Sequence, residues 1–353
     1  MLWFGPQNAM PQTNMGFDDI VKLVRGLSEK HLLESRPQHY IDGFAKATLS
    51  TYQEEVLDQL QQKFSIPDDT RFTEDAYLQS ASELTVASYV RGKGVLDFHT
   101  ERKFNQSNTK NVDVYYRVGS TRVYLEVKCP FEEPIVSNSP YRVLPAGHTP
   151  GGLERVREFV RTANTQFPDR FQEGKNREMR LKDALIDANQ KFRQNPELDE
   201  LNVLFVACGD FTRMSEWHGN LMGAGGFFTG ESFHPPETYR NVDCVILSNL
   251  KYRHSVAFNF PAWSLDDVLL IPIINPHGRK NLLDETIREG LSIFSHYRKE
   301  FLSNRILKAG VEEIQACADP HTKVTWFVDR HLSLSEKKRF FPVCPPHSPL
   351  SPW

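Results

Sequence analysis

The stretch NVDVYYRVGSTRVYLEVKC (111–129) decides the fold that we predict for this chain. It contains two runs of alternating apolar and polar residues, 111–118 and 121–129, joined by Gly119-Ser120. A two-residue loop with glycine in the first position suits the type II′ turn that right-twisted strands prefer. The stretch therefore predicts a β-hairpin.

One register of this hairpin separates its apolar from its polar side chains. Val118 then pairs with Thr121, and on one face Asp113 pairs with Glu126 because side chains alternate along a strand. The other face is wholly apolar and consists of Val112, Val114, Tyr116, Val123, Leu125 and Val127. A slip of one residue would mix the two faces, so the pattern favours this register.

The predicted register sets two carboxylates against each other. The Cβ atoms of Asp113 and Glu126 would lie about 4.5–5.5 Å apart, and like charges at that distance weaken a sheet. A divalent cation would remove the conflict, because Mg²⁺ prefers oxygen ligands and is commonly held by one or two carboxylates with water and substrate phosphate. Lys128 points to the same side as Glu126. The hairpin is therefore a candidate metal-dependent phosphodiester site.

At these residues the sequence resembles the PD-(D/E)xK nuclease superfamily, whose signature is an aspartate on one strand and Glu-x-Lys on the next. The match is Asp113 with Glu126-Val127-Lys128, and Val112 stands where the namesake proline would be. The resemblance implies an α/β protein with the restriction-endonuclease-like fold, an αβββαβ core with a central mixed sheet.

The resemblance also implies an activity. It implies a metal-dependent nuclease that hydrolyses phosphodiester bonds with Mg²⁺ as cofactor and Mn²⁺ as a substitute, and DNA is the expected partner. Asp113, Glu126 and the backbone carbonyl of Val127 would ligate the metal, while Lys128 would orient the attacking water or offset charge in the transition state. A restriction, phage-defence or mobile-element role follows by analogy alone.

A fourth acidic residue is expected from the helix that precedes the first core strand. The sequence predicts a helix over residues 74–91 with Thr73 as its N-cap. Glu83 shares an apolar stripe with Ala76, Ala87 and Val90, so it is expected to face inward, although it could instead lie at the edge of the stripe and reach solvent. In the resembling family a glutamate on this helix often completes the acidic cluster, which would make Glu83 a catalytic and metal-binding residue.

Glu-x-Lys alone is weak evidence for a nuclease. Residues 173–175 and 336–338 also fit it, but the copy at 126–128 lies in an apolar strand-like run with an aspartate facing it. One alternative is a solvated hairpin face. Another is a catalytically inactive nuclease-fold module that binds nucleic acid or assembles a larger complex.

The rest of the chain is divided by its apolar periodicity and its prolines. Residues 1–70 are predicted as a helical N-terminal extension and 276–353 as a C-terminal helix, 282–302, with a proline-rich tail. Between them, 71–275 form the predicted nuclease core. It carries two insertions, at 130–176 and 211–240.

Strands are expected over 95–104, 201–210 and 242–250, and helices over 152–165 and 176–194. The second helix has an apolar stripe of Leu181, Leu185, Ala188 and Phe192. Lys191 is among the basic residues that we place elsewhere on its surface. Lys182, Asn189 and Gln190 are possible counterparts of the polar residue that this helix contributes in the resembling family.

Two segments are predicted to lack regular structure. The prolines and glycines of residues 131–152 argue against it for about 20 residues. The part of the second insertion that contains Trp217, His218 and Phe227-Phe228 is expected to be a loop. Aromatic residues there could stack on bases, but core packing is the commoner fate of such residues.

Composition limits the setting of the protein. The chain has 353 residues, 39% hydrophobic and 25% charged, with a net charge of −3. Two local stretches, 85–130 and 151–193, carry an excess of lysine and arginine, which is compatible with phosphate contacts. Five widely spaced cysteines indicate free thiols in a reducing, cytoplasmic setting. No leader or membrane span is evident.

Other enzyme classes lack their motifs. There is no Gly-x-Ser-x-Gly nucleophile elbow and no phosphate-binding P-loop motif. The helical extensions could contact a partner protein or a second copy of the chain.

Overall fold

A six-stranded mixed sheet forms the centre of the protein in the computed structural model of the chain. The structure describes residues 15–52, 56–103, 110–130, 141–143, 152–173, 177–223, 225–230, 232, 234–279, 282–294 and 332–342.

The strands, numbered in chain order, are β1 (Leu96–Arg102), β2 (Val112–Val118), β3 (Thr121–Lys128), β4 (Tyr141–Val143), β5 (Phe171–Glu173), β6 (Glu200–Ala207), β7 (Cys244–Ser248) and β8 (Leu270–Ile274). The order across the sheet is β1-β2-β3-β6-β7-β8. The first three strands are antiparallel, β3, β6 and β7 are parallel, and β8 is antiparallel to β7. The prediction of an α/β protein with a central mixed sheet is confirmed.

The helices are α1 (Phe17–Arg25), α2 (Gln38–Thr51), α3 (Val56–Phe64), α4 (Glu74–Gly92), α5 (Gly152–Gln166), α6 (Arg177–Lys191), α7 (Phe211–Met222), α8 (Leu250–Ser255), α9 (Asp284–Gly290) and α10 (Leu334–Phe340). Short 3₁₀ helices lie at Pro236–Thr238, Leu265–Asp267 and Ser292–Phe294. The Thr73 hydroxyl accepts a hydrogen bond from the Ala76 N–H, so the predicted N-cap of α4 is confirmed.

Apolar layers cover both faces of the sheet. On β6, Leu204 and Val206 pack in the layer that contains residues of α6 and α7. Val203 and Phe205 pack in the opposite layer, with residues of α4. A strand covered on both sides needs apolar residues at every position, which explains the continuous apolar run. The strands predicted within 201–210 and 242–250 are confirmed.

The hairpin has the predicted register over most of its length. Val118 pairs with Thr121, and Val114 pairs with Leu125. The φ of Gly119 is +54°, a conformation that glycine adopts without strain. A Cβ atom at this position would also lie 1.8 Å from Oε1 of Glu289. Both the turn and this contact therefore require glycine.

The predicted apolar face is wrong at one position. Val112 packs with Tyr115 and Tyr124 rather than with Val114. The ladder between β2 and β3 ends at the pair of Val114 and Leu125. Beyond it, the Val127 N–H donates to the Asp113 carboxylate and not to a ladder carbonyl. The regular alternation assumed for the hairpin therefore stops at Asp113.

Two segments predicted to be irregular contain regular structure. Within 131–152, β4 pairs in parallel with β5; residues 131–140 and 144–151 lie outside the described residues. Within 211–240, the Asp210 carboxylate caps α7 by accepting from the Arg213 N–H. The cap fixes the start of α7, and its buried residues Met214, Trp217 and Leu221 anchor the helix on the core.

The predicted helices differ in length from the observed ones. The N-terminal extension, predicted to be helical, contains the three helices α1, α2 and α3. The predicted helix at 282–302 is observed as α9 and a 3₁₀ turn up to residue 294. Its remainder and the tail after residue 342 lie outside the described residues.

The N-terminal helices share a buried hydrogen-bond network with the core. The Tyr40 hydroxyl lies 2.7 Å from both the Tyr77 hydroxyl and Nδ1 of His254. Nε2 of His254 lies 3.0 Å from the Thr85 hydroxyl. Burial lowers the pKa of His254 to about 3, so the ring is neutral and its two nitrogens join α2, α4 and α8.

Cys129, Cys208 and Cys244 are free thiols, as predicted. Among the described residues, no helix combines the length and the apolar character needed to cross a bilayer.

A buried ion pair yields the first prediction. Arg279 makes two hydrogen bonds to the fully buried Asp243 carboxylate, the longer of them 2.9 Å. Removing one partner of such a pair costs about 3–5 kcal/mol, because a buried charge is left alone. We expect Arg279→Met to lower the free energy of unfolding in urea by about that amount. The control is Arg161→Met, since Arg161 pairs with Glu158 on the surface of α5. An Arg279 variant as stable as this control would contradict the prediction.

Candidate functional site

Polar side chains from four elements meet where β3 ends. Glu126 and Lys128 lie on β3, and Asp113 lies beside them near the start of β2 because the two strands are antiparallel. Glu83 comes from α4, and Lys191 is the last residue of α6. The two helices pack in opposite apolar layers of the sheet, so the cluster is assembled from both sides of β3.

Asp113 is held at the end of the hairpin ladder. Its Oδ2 accepts a hydrogen bond of 2.7 Å from the Val127 N–H. The same peptide segment is gripped from α4, because the Gln79 amide donates to the Val127 carbonyl at 2.9 Å and accepts from the Cys129 N–H at 2.6 Å. Both polar groups of Val127 are thus fixed by side chains. This arrangement sets the position of the carbonyl that was predicted to ligate a metal.

Glu126 is a fully buried carboxylate between two ammonium groups. Its Oε1 lies 2.5 Å from Nζ of Lys191 and 2.8 Å from Nζ of Lys128. Its Oε2 is buried without a hydrogen-bond partner among the described residues. A buried charged oxygen with no partner is costly, so this atom marks the point where the cluster has an unused ligand.

Lys128 is held in place by a second carboxylate. Its Nζ lies 2.7 Å from Asp187 on α6, and Asp187 also accepts from Lys110 at 2.6 Å. Burial raises the pKa of Asp187, but hydrogen bonds from these two lysines outweigh burial and lower that pKa to about 2. Burial lowers the pKa of Lys128, but Glu126 and Asp187 outweigh it and raise that pKa above its ordinary value. Lys128 is therefore a fixed positive charge at neutral pH.

Glu83 faces inward, which was one of the two alternatives. Its side chain is 17% exposed and lies 2.8 Å from Nζ of Lys63 on α3. The Gln79 amide donates to its other oxygen at 2.8 Å. Gln79 therefore links Glu83 to the Val127 carbonyl, and Lys63 ties the N-terminal helices to the cluster.

The charge on Asp113 is unfavourable in this setting. Burial raises the pKa of Asp113 well above its ordinary value, and the neighbouring carboxylates of Glu126 and Glu83 raise it further. Lys191 acts in the opposite direction, but its Nζ is 4.0 Å from the nearer Asp113 oxygen. Asp113 is thus the carboxylate of the cluster that the nearby lysines compensate least.

The structure brings together the residues that the sequence predicted, Asp113, Glu126, Lys128 and Glu83. It also adds three that the sequence analysis missed: Gln79, Asp187 and Lys191. Lys191 was placed outside the apolar stripe of α6 and was given no role at the site, but its ammonium group reaches Glu126. The signal was present, since Asp187 and Lys191 are four residues apart and share one helix face.

The three candidates named on α6 have different positions. Gln190 accepts a hydrogen bond of 2.9 Å from Lys110, so it lies at the edge of the cluster. Asn189 accepts from the Asn241 N–H instead. Lys182 lies 3.9 Å from Asp183, more than two turns from Lys191. The structure therefore brings only Gln190 of the three to the site.

The donor atoms fit a hard divalent cation by their chemistry. The Asp113 and Glu126 carboxylates and the Val127 carbonyl supply oxygen, which Mg²⁺ and Mn²⁺ prefer, and Oε2 of Glu126 is an unpartnered ligand. In the arrangement described, however, the Lys191 ammonium lies against Glu126. Across the described part of the chain, no three histidine, cysteine or acidic side chains already stand in a metal-binding arrangement.

No protein-family model, no curated protein and no solved structure matches the chain.

The pKa directions of two aspartates give opposite stability predictions. The folded-state pKa of Asp113 lies above 3.8, its ordinary value, so folding free energy is lost as the pH rises through that raised pKa. Asparagine keeps the hydrogen bond from Val127 and cannot ionise. We expect Asp113→Asn to be more stable than the wild type at pH 7 in EDTA. The difference should shrink as the pH falls towards 3.8, the ordinary pKa of the side chain.

Asp187→Asn is the matched control for this prediction. The pKa of Asp187 is lowered, so its ionised form stabilises the fold above pH 3.8. This variant should be less stable than the wild type at pH 7, as measured by urea unfolding. A destabilised Asp113→Asn variant would show that the Asp113 charge is well compensated in the metal-free protein.

Proposed function

We propose that the protein is a Mg²⁺-dependent nuclease that hydrolyses phosphodiester bonds, with DNA as the expected substrate. One observation carries the proposal. Asp113, Glu126 and Lys128, the residues of the signature, lie in one cluster in which a fully buried Glu126 keeps an unpartnered oxygen. The alternative of a solvated hairpin face does not fit Glu126, because its carboxylate has no exposed surface.

The order of elements supports the same proposal. α4 precedes an antiparallel meander of β1, β2 and β3, and α6 leads to β6, which lies parallel to β3. If β4, α5 and β5 belong to the insertion predicted at 130–176, this order agrees with the αβββαβ order that the resemblance implies for a restriction-endonuclease-like core. Glu83 lies on the helix before the first of these strands, the position that the resemblance implies for an additional acid.

Different residues of the cluster would bind the metal and stabilise the transition state. Asp113, Glu126 and the Val127 carbonyl would hold Mg²⁺, and Glu83 would act through Gln79 to fix that carbonyl. Bound Mg²⁺ polarises a scissile phosphate and lowers the pKa of a water. Lys128, held between Glu126 and Asp187, would present a positive charge to the phosphate oxygens as negative charge develops there.

A second candidate function is a nuclease-fold module that binds nucleic acid without cleaving it. The two short ion pairs of Glu126, with Lys128 and Lys191, favour it because they balance this carboxylate without a metal. It predicts that the protein binds DNA equally well with EDTA or Mg²⁺ and does not nick it.

A plasmid-nicking assay separates the two candidates. We expect the wild type to nick supercoiled DNA with Mg²⁺ or Mn²⁺ and to be inactive in EDTA. Asp113→Asn and Lys128→Met should each lower the rate by at least about 10²-fold, because each removes a group that acts on the transition state. Exposed Lys46 on α2 provides the control Lys46→Met, which should cleave at the wild-type rate.

Urea unfolding of the same samples checks that each variant is folded. Cleavage at the wild-type rate by either site variant, or cleavage in EDTA, would overturn the assignment. An RNA substrate of the same length, assayed in parallel, tests the preference for DNA.

A further inference from the structure

The charges around Glu126 balance without a metal. Three carboxylates and three ammonium groups form an unbroken chain of ion pairs, and each pair is 4.0 Å or shorter. The carboxylates are Asp113, Glu126 and Asp187, and the ammonium groups are Lys110, Lys128 and Lys191. A cluster of zero net charge attracts a cation weakly, so a divalent ion gains most if one ammonium group leaves.

Lys191 is the ammonium group in the way of the cation. It alone of the three contacts both carboxylates that would hold the metal, at 2.5 Å from Glu126 and 4.0 Å from Asp113. Mg²⁺ takes oxygen ligands at about 2.0–2.1 Å. A metal ion held by Asp113 and by Oε2 of Glu126 would lie beside the Lys191 ammonium group, which contacts both carboxylates, so the two cations would repel each other.

Lys191 has fewer direct carboxylate contacts outside the proposed metal ligands than Lys128 has. Lys128 has a second acidic partner, Asp187, which holds it in place. Among the described residues Lys191 has ion pairs within 4.0 Å only with Glu126 and Asp113, and its interaction with Asp187 is weaker than the direct contact that Lys128 makes with that carboxylate. It ends α6, and its flexible four-carbon stem lets the ammonium group move without moving the helix. After leaving Glu126, the positive charge of Lys191 would still be stabilised by the dipole of α6, because it lies at the C-terminal end of that helix.

We propose that Lys191 is a built-in competitor of the divalent cation. In the metal-free protein its ammonium group neutralises Glu126, and it must leave this carboxylate before Mg²⁺ can be coordinated. Lys191 therefore sets the metal affinity of the site and keeps the buried carboxylate stable while no metal is bound. This inference rests on the proposed function, because it concerns the same metal site.

The test is titration of metal-free protein with MgCl₂ and with MnCl₂, followed by calorimetry. We expect Lys191→Met to lower the Kd for each ion by at least about tenfold, because the competing charge is gone. The same variant should have a lower Tm than the wild type in EDTA, since Glu126 loses a partner. Saturating MgCl₂ should then raise its Tm by more than it raises the wild-type Tm.

Further variants make the test specific to position and charge. Lys191→Gln keeps a hydrogen-bond donor for Glu126 without the charge, so it should also bind Mg²⁺ more tightly and serves if the methionine variant does not fold. Lys191→Arg keeps the charge and should stay close to the wild-type affinity. Lys182→Met removes a lysine from the same helix, away from the cluster, and should leave the Kd unchanged.

The outcomes distinguish this inference from the proposed function. If the wild type binds Mg²⁺ and both neutral Lys191 variants bind it with the same or lower affinity, the competition is wrong while the metal site stands. If neither the wild type nor the neutral variants bind Mg²⁺ or Mn²⁺, both the proposed metal site and the proposed competition by Lys191 are wrong.

Discussion

The structure of the site depends on one buried carboxylate. Glu126 has no exposed surface, and an ionised carboxylate in that position is stable only with positive charge in contact. Lys128 and Lys191 supply that charge from β3 and α6, and Asp187 and Lys110 extend the network around Lys128. The carboxylate of Glu126 on β3 thus helps to hold the end of α6 against the sheet through Lys191.

The polar cluster forms where the regular pairing of β2 with β3 ends. While β2 and β3 pair regularly, their side chains serve the two apolar layers. Where pairing stops, the Asp113 carboxylate replaces a backbone carbonyl as acceptor of the Val127 N–H, and Gln79 occupies the Val127 carbonyl. The resulting cluster holds Asp113 in a setting that raises its pKa. Such unfavourable placement costs stability and is common where a protein keeps groups ready for a ligand.

Local pattern predicted the elements whose signals are local. The Gly119-Ser120 turn and the alternation around it were enough for the register, and the Thr73 cap was enough for the start of α4. Val112 was misplaced because the alternation rule assumes a ladder that continues, and here a side chain ends it. Lys191 was missed because its contact with Glu126 depends on how α6 packs against β3, and the spacing of Asp187 and Lys191 shows only that they share one face of α6. The parallel pairing of β4 with β5 is likewise a long-range contact, hidden by the prolines and glycines around it.

A crystal structure with saturating MnCl₂ and an anomalous difference map tests the central claim most directly. We expect one anomalous peak within coordination distance of an oxygen of Asp113 and an oxygen of Glu126. We also expect the Lys191 ammonium to have moved away from Glu126 while Lys128 remains against Asp187. A map without a peak at these carboxylates, with Lys191 still in contact with Glu126, would contradict it.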